Sequence, residues 1–464
     1  MKIGLLPLYL KLYDDACPFM RPRIEAFRET IAGRLAGLGF GVAAAPVCTL
    51  KAEFAEAVAT IEGSGAAAIV TLHLSYSPSL ECIDALAATR LPLLVFDTTE
   101  SYEFGASVNA DEIMYNHGIH GVQDMCNLLI RRGKSFKVFA GHYERSDALR
   151  RIADYCRGLE MAAAFRGMRV GLVGKPFDGM GDFAVPFDEL KEKFGIEVIG
   201  YDFDAAAERI AAVTAEEIES ERRADAGAFD WDDSVTGELY ERSARVCIAV
   251  RQWMRERSLS ALTVNFLAAQ KDSPGLPIMP FTECGKAMAR GAGYAGEGDV
   301  LTAALCGAVL RAFPETTFTE MFCPDWRGGS VFMSHMGEYN YNIGAGRPRL
   351  TEKDFPYTTA ENPAVAYGTY MPGKATLVNL APRGGGAYAL IAAHGEILEI
   401  RGENRLSESV SGWFKPDAPL AEFLEKYSLA GGTHHSALSY AASSEAAPAF
   451  AAFAEAMGFE YIEI

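Results

Sequence analysis

Hydrophobic positions in the first part of the chain fall into short runs separated by amphipathic stretches. Runs over 3–6, 41–45, 67–72, 91–96 and 136–140 have the length of buried strands. Between them, 22–38, 53–61, 80–88, 113–131 and 146–164 read as helices. Pro22 stands in the first turn of its helix, where a missing N–H costs nothing. Strand and helix in regular alternation specify a parallel sheet covered on both faces, with its ligand crevice at the carboxyl ends of the strands. His73 with Tyr76, the stretch 97–100, and His142 fall at such ends. A strand over 168–174, a helix over 188–194, a strand over 197–201, a long helix over 234–256 and a strand over 259–265 predict a second sheet of the same kind. From about 313 the texture changes to β-prone runs at 375–380, 386–393 and 396–401, punctuated by Gly and Pro and flanked by helices near 418–427 and 446–457. The expected fold is α/β. Two doubly wound parallel-sheet domains, 1–165 and 166–312, precede a C-terminal mainly antiparallel β-barrel-like domain, 313–464.

Composition narrows the function classes. With 464 residues, 49% of them hydrophobic, the chain has material for several cores. A net charge of -18, with no concentrated Lys/Arg stripe, argues against a nucleic-acid surface. The charged run over 216–233 reads as a solvated helix and loop. Nine cysteines are scattered without a C-x-x-C pair, the pattern of reduced thiols rather than of a disulfide framework. The apolar start is interrupted by Lys11, Asp14 and Asp15, which does not suit a secretory core, and no run approaches the roughly 20 apolar residues of a membrane span. These features predict a soluble cytoplasmic protein with no membrane partner. Gly179 and Gly181 do not make a G-x-G-x-x-G turn into a helix, so a dinucleotide site has weak support.

Chemistry concentrates between Gly293 and Asn340. Glu297 stands in a Gly-Glu-Gly turn, and Asp299 after it reads as the N-cap of a helix with Leu301, Leu305, Ala308 and Val309 on its apolar face. Glu320 follows the β-prone run 316–319, and His335 follows 330–333. Far downstream, Gly431 and Gly432 let the backbone turn before His434 and His435. Two carboxylates and one or two imidazoles, with no thiolate, suit manganese, cobalt, iron or zinc with positions left open for substrate. Taken singly, each residue also has a bland reading: an exposed turn, a satisfied core histidine, a surface loop. Tyr339 and Tyr341 read as strand packing.

The chain resembles the L-arabinose isomerase and L-fucose isomerase superfamily, and the arabinose branch more closely. The resemblance is carried by GYAGEGD at 293–299 followed by TAAL, FTEM around Glu320, SHMGE at 334–338 and AGGTHH at 430–435, in family order. Weaker agreements are SPGLP at 273–277, SYSPSLE at 75–81 and NHGIHG at 116–121. The resemblance implies that Glu297, Glu320, His335 and His435 bind a divalent metal, manganese foremost, with cobalt, iron or magnesium as alternatives. It implies aldose–ketose interconversion through a metal-bound enediol, with the two glutamates as acid and base. It further implies a homo-oligomer, a trimer or hexamer, in which His120 is lent to a neighbour's active site. His117, Tyr9 and His434 are the other residues expected at the sugar, with His434 a neighbour of the metal set. A non-catalytic sugar-binding or regulatory protein on the same fold is the alternative, and a metal-dependent hydrolase or aldolase a third.

Departures from the family pattern leave the sugar open. The arabinose enzymes carry a Gln-His-Leu-Tyr-Gly stretch where this chain has Pro7-Leu8-Tyr9-Leu10-Lys11. A Gln expected three positions before His120 is His117, and the acidic-aromatic pair after the FTEM-type glutamate is Met321-Phe322. Lys11, His117 and Arg327 are placed to meet an anionic group at the far end of a modified sugar.

Overall fold

In the computed structural model, which describes residues 1–464, the first alternating stretch becomes a five-stranded sheet. Its strands are β1 (Lys2–Leu8), β2 (Gly41–Ala44), β3 (Ile69–His73), β4 (Leu93–Asp97) and β5 (Phe136–Ala140), in the order β2-β1-β3-β4-β5 with every neighbour parallel. Side chains alternate across the pleat, so each strand feeds two cores. Ile3, Leu5, Val70, Leu72 and Phe96 pack on Ile24, Phe27 and Ile31 of the helix Arg21–Gly37. Leu6, Ile69 and Val95 pack on the helices Lys51–Gly63, Ser79–Ala88 and Ile119–Arg131. The doubly covered sheet expected from the sequence is the one observed, and it lies in a compact unit, Met1–Leu159.

One helix differs. The helix expected over 113–131 is broken into Ile113–Asn116 and Ile119–Arg131, with His117 and Gly118 between. The second piece packs down on His73: a Cβ at Gly118 would stand 2.7 Å from the His73 carbonyl oxygen, and one at Gly121 2.4 Å from its ring Cδ2. Glycine at both positions permits that approach and weakens the helix where it breaks.

The second unit, Glu160–Ile464, holds β6 (Arg169–Val173), β7 (Glu197–Gly200), β8 (Asp230–Trp231), β9 (Ala261–Val264) and β10 (Gly293–Gly296). Four of these form a parallel sheet in the order β10-β9-β6-β7. After it come β11 (Thr316–Asp325), β12 (Ser330–Ser334), β13 (Arg349–Glu352), β14 (Ala364–Tyr367), β15 (Gly373–Pro382), β16 (Tyr388–Ile397), β17 (Gly412–Pro416), β18 (His435–Ser439) and β19 (Glu460–Glu463). Antiparallel pairing runs through β15, β18, β11, β12, β17 and β16 and returns to β15, so these strands close into a ring. β19 joins β16 in parallel, and β8, β13 and β14 form a small separate sheet. The predicted β-barrel-like character is thus present, but the separate strand expected over 396–401 is not. The β15–β16 ladder is continuous from Gly373↔Ile397 to Pro382↔Tyr388, so one long strand ends at Ile397. One hydrophobic core continues beneath both sheets, from Val170 and Tyr294 through Leu305 to Phe318, Leu377 and Phe450.

β10 arises where the sequence reads only as a turn. Its residues are small because it lies against the buried helix Val300–Ala312: a Cβ on Gly293 would stand 2.1 Å from the carbonyl oxygen of Ala303 and 2.5 Å from the amide nitrogen of Gly307. Both obstacles are backbone and cannot swing away. Gly293→Ala is therefore expected to destabilise the second unit by about 3 kcal/mol, read as a lower urea midpoint with an unchanged slope. No helix is long and apolar enough to cross a membrane, and none of the nine cysteines is paired in a disulfide.

Candidate active site

Glu297 is the first residue beyond β10, at the carboxyl end of a parallel strand, where α/β sheets place their ligands. Its backbone has φ of 61°, in the left-handed region that side chains other than glycine rarely adopt. Its amide donates to the Val264 carbonyl at 2.9 Å, and its own carbonyl accepts from the Phe177 amide at 2.9 Å, so the conformation is imposed from both sides. Strain held in this way is concentrated at functional positions. Asp299, two residues on, is the predicted N-cap: Oδ1 accepts from the Thr302 amide at 2.8 Å. Its other oxygen, Oδ2, accepts from Nδ1 of His435 at 2.9 Å.

Barrel register brings the remaining groups in. On β11, Glu320 pairs with Ser334 of β12 on one side and with His435 of β18 on the other. His335 is one residue past the end of β12. Nε2 of His435 lies 2.8 Å from Oε1 of Glu320 and 3.6 Å from Oε2 of Glu297. Nε2 of His335 lies 3.7 Å from Oε1 of Glu320, and Nε2 of His434 is 3.9 Å from an oxygen of each glutamate. One donor atom from each of Glu297, Glu320, His434 and His435 falls within 4.8 Å of all the others. A Cβ on Gly296 would stand 2.7 Å from Cε1 of His335, so the glycine before Glu297 makes room for that ring.

The three imidazoles share one construction. Nδ1 of His335 is 2.7 Å from Glu338, Nδ1 of His434 is 2.6 Å from Asp182, and Nδ1 of His435 is 2.9 Å from Asp299. A carboxylate on one ring nitrogen fixes ring orientation and makes the other a better donor to a metal. Glu338 is itself held by the hydroxyl of the fully buried Tyr294 at 2.6 Å. Phe183 lies parallel to His435, with ring centroids 5.0 Å apart.

Electrostatics follow from this packing. Burial alone would push His435 down, but Asp299 and Glu320 more than offset it and hold the imidazole up at about 10. His335 is likewise raised, burial being outweighed by Glu338 and Glu320, and His434 is raised by Glu297 foremost. Burial would raise Glu320, yet the surrounding imidazoles hold it below the usual carboxylate range. Oε2 of Glu297 and Nε2 of His435 are buried and make no hydrogen bond. Two buried unsatisfied donor atoms, in a set of carboxylates and imidazoles without thiolate, fit a divalent cation of borderline-hard character.

Glu297, Glu320 and His435 meet at one place with His434, whereas His335 stands outside that donor set and reaches it through Glu320. Tyr9, His117 and His120 belong to the first unit. Tyr9 is fully buried beside Tyr13, with its hydroxyl 4.0 Å from the Met20 sulfur. His117 stacks on Tyr13 and His120 is exposed, their own ring centroids 5.5 Å apart. Lys11 is paired with Asp15, and Arg327 is exposed in the turn between β11 and β12. Sequence reasoning missed Asp182 and Glu338. Glu338 had a signal, three residues after His335 inside the quoted SHMGE segment, whereas Asp182 lies in an irregular loop whose partners no periodicity reveals.

Fold and site together define the class: a chain with an α/β sheet, a closed antiparallel barrel and a carboxylate–imidazole cluster at the carboxyl end of β10. A family model described as the L-arabinose isomerase central domain matches residues 187–312, and one described as the L-arabinose isomerase C-terminal domain matches residues 315–460. An L-arabinose isomerase of Shouchella clausii is 25% identical over 473 residues, 99% of this chain and 93% of that protein. One of Geobacillus kaustophilus is 27% identical over 419 residues, 86% of this chain and 81% of its own length, and one of Bacillus subtilis is 24% identical over 440 residues, covering 91% and 87%. The chain belongs to the L-arabinose isomerase family.

Proposed function

We infer that this protein interconverts an aldose and a ketose, with Glu297 and Glu320 exchanging the substrate proton and a divalent cation, manganese foremost, held by Glu297, Glu320, His335 and His435. The observation that carries this reading is the convergence of two glutamates and three carboxylate-anchored imidazoles, in a chain of this family, around buried donor atoms left without a hydrogen bond. Moving a carbonyl between C1 and C2 requires that a proton leave C2 and one arrive at C1, and that the hydroxyl proton pass from O2 to O1. One carboxylate takes the first while the other, protonated, delivers the second, and the roles reverse for the return reaction. The cation, when bound, supplies stabilisation for negative charge developing on the sugar oxygens. Asp299 and Glu338 keep His435 and His335 oriented, and Phe183 covers one face of His435 against water. We place the enzyme in the cytoplasm, in keeping with cysteines that form no disulfide, as a trimer or hexamer in which His120 reaches a neighbouring copy's site.

Protein stripped with chelator and resupplied with manganese, offered a panel of aldoses and ketoses in deuterated water, is expected to form one isomer pair. NMR should find solvent deuterium at the carbon beside the carbonyl in proportion to turnover, and both should vanish on removal of the metal. Sugar binding without metal dependence or exchange would return the chain to the non-catalytic reading.

A further inference from the structure

From the cluster a wall of aromatic rings leads away within the second unit. The amide of Phe177 donates to the Glu297 carbonyl, and its half-buried ring lies 5.7 Å from that of Phe266, centroid to centroid. Phe266 lies 6.3 Å from Phe355. From the other side, a Cβ on Gly337, between His335 and its anchor Glu338, would stand 2.4 Å from Val365 and 3.3 Å from the ring of Phe281, whose centroid is 5.9 Å from that of Phe355. Two lines of contact, one starting at Glu297 and one at His335, therefore meet in the loop that follows β13. Lys353 opens that loop, half-buried, and its Nζ donates to the hydroxyl of Tyr367, the last residue of β14, at 2.8 Å. The charge of Glu338 acts on both. This contact leaves each group with hydrogens to give. An ammonium carries three, of which one goes to Tyr367, and a phenol that receives a hydrogen keeps its own. Lys353 forms no ion pair, whereas the equally half-buried Lys286 of the same unit lies 2.6 Å from an oxygen of Glu221 and of Asp225. Where packing alone sets a lysine inward, this fold supplies its carboxylates; at Lys353 the anion is left to come from outside.

We propose that Lys353 and Tyr367 receive an anionic substituent, a carboxylate or a phosphate, at the end of the sugar remote from the carbons that exchange hydrogen. The proposal rests on the isomerase reading and names its substrate class, a sugar acid or sugar phosphate in place of a neutral sugar. The reacting end belongs at the glutamates, the C–H bonds of the middle carbons lie along the aromatic wall, and the ammonium and the phenol each give a hydrogen to an oxygen of the anion. A negative group brought toward a pair of glutamates needs a positive charge of its own to meet. Burial holds the Lys353 ammonium below its ordinary value against the pull of Glu338 and Asp354, and an arriving anion restores what burial removes. The basic residues that the sequence put forward are placed less well, since Lys11 is paired with Asp15 and Arg327 stands exposed in a turn.

The test compares sugars that share a configuration and differ only at the last carbon: a hexose, its hexuronate and its 6-phosphate. A hydrogen bond to a charged group in a partly buried place is worth about 10- to 100-fold in affinity, so the manganese-loaded wild type is expected to favour an acidic sugar over the neutral one by at least about tenfold in kcat/KM. Whichever acid is favoured identifies the anion as carboxylate or phosphate. In Lys353→Met, which keeps the stem of the side chain and removes its charge, that ratio should fall at least about tenfold, through a higher KM for the acid rather than a lower kcat. The ratio does not depend on how much of the variant is folded, and Lys353→Arg, which keeps the charge, should retain the preference. Calorimetric binding of the same three sugars reads the preference without turnover. Equal kcat/KM for neutral and acidic sugars in the wild type overturns the proposal, as does a ratio in Lys353→Met within about threefold of the wild type or a loss confined to kcat. A wild type that turns over no sugar, neutral or acidic, would sink the isomerase reading instead, and the calorimetric preference and its loss in Lys353→Met would then decide the anion site.

Discussion

Glu320→Gln and Glu297→Gln are each expected to lower kcat at least about 1,000-fold, and Glu320→Gln is expected also to lower the urea midpoint of the second unit. The two halves of this expectation come from the same geometry. The glutamates have donor oxygens within 4.8 Å of one another, partly buried, so in the metal-free protein two like charges are held close. At Glu320 the surrounding imidazoles outweigh that repulsion and favour the carboxylate, so removing its charge costs stability, while glutamine keeps the shape and adopts the left-handed backbone at position 297 no less readily than glutamate. Function falls with either change, because an amide neither takes a proton from carbon nor neutralises a cation. The variants should differ in their metal binding. Oε1 of Glu320 lies within 4 Å of Nε2 in all three imidazoles, whereas Oε2 of Glu297 comes within that distance of His434 and His435 alone, so Glu320→Gln is expected to lose more manganese affinity. Calorimetric metal titration beside deuterium exchange at the sugar carbon separates the two effects. Turnover within tenfold of wild type in either variant would remove that glutamate from the acid–base pair.

What the sequence discloses here depends on whether a feature is set by local pattern or by register. The parallel sheet of the first unit was legible because β1, β3 and β4 are buried on both faces and therefore read as continuous apolar runs. β10 was not, since Gly293-Tyr294-Ala295-Gly296 has no β-branched residue and owes its small side chains to the helix it lies against. The Asp299 cap was legible from its spacing to an apolar helix face, but nothing local says that its second oxygen holds His435. That pairing exists because β18 runs antiparallel to β11 with His435 facing Glu320, a register fixed by strands more than a hundred residues apart. The four family motifs named the participants, and only the folded barrel explains why His434 comes along with His435. Asp182 stood outside both kinds of signal. Its loop has no period, and its role appears only once β18 has been set beside it.

Acid is expected to weaken the first unit through His73, a residue that drew notice from the sequence only because it ends a central strand. Its ring is 3% exposed, neither nitrogen makes a hydrogen bond, and Gly118 and Gly121 press against it. Burial holds it down at about 3, with the carboxylate of Asp124 opposing only weakly. The folded form therefore keeps the ring neutral, while the unfolded chain protonates it at its ordinary value near 6.5. A group depressed in this way contributes stability that is fully present above pH 6.5 and is lost as the pH falls toward 3. Well between those limits the loss is about 1.4 kcal/mol for each pH unit, so roughly 2 kcal/mol separates pH 6.5 from pH 4.5 at this one site. The measurement is the urea concentration at which peptides spanning 69–73 and 119–131 lose hydrogen-exchange protection, followed from pH 7 to pH 4 and corrected for intrinsic exchange. In His73→Asn the ring is replaced by a group that does not titrate, and the absolute midpoint should drop because packing against Gly118 and Gly121 is lost. Its dependence on pH should nevertheless flatten by the contribution of one proton. A variant with the wild-type slope would assign the acid sensitivity to the surface carboxylates and leave His73 a packing residue alone.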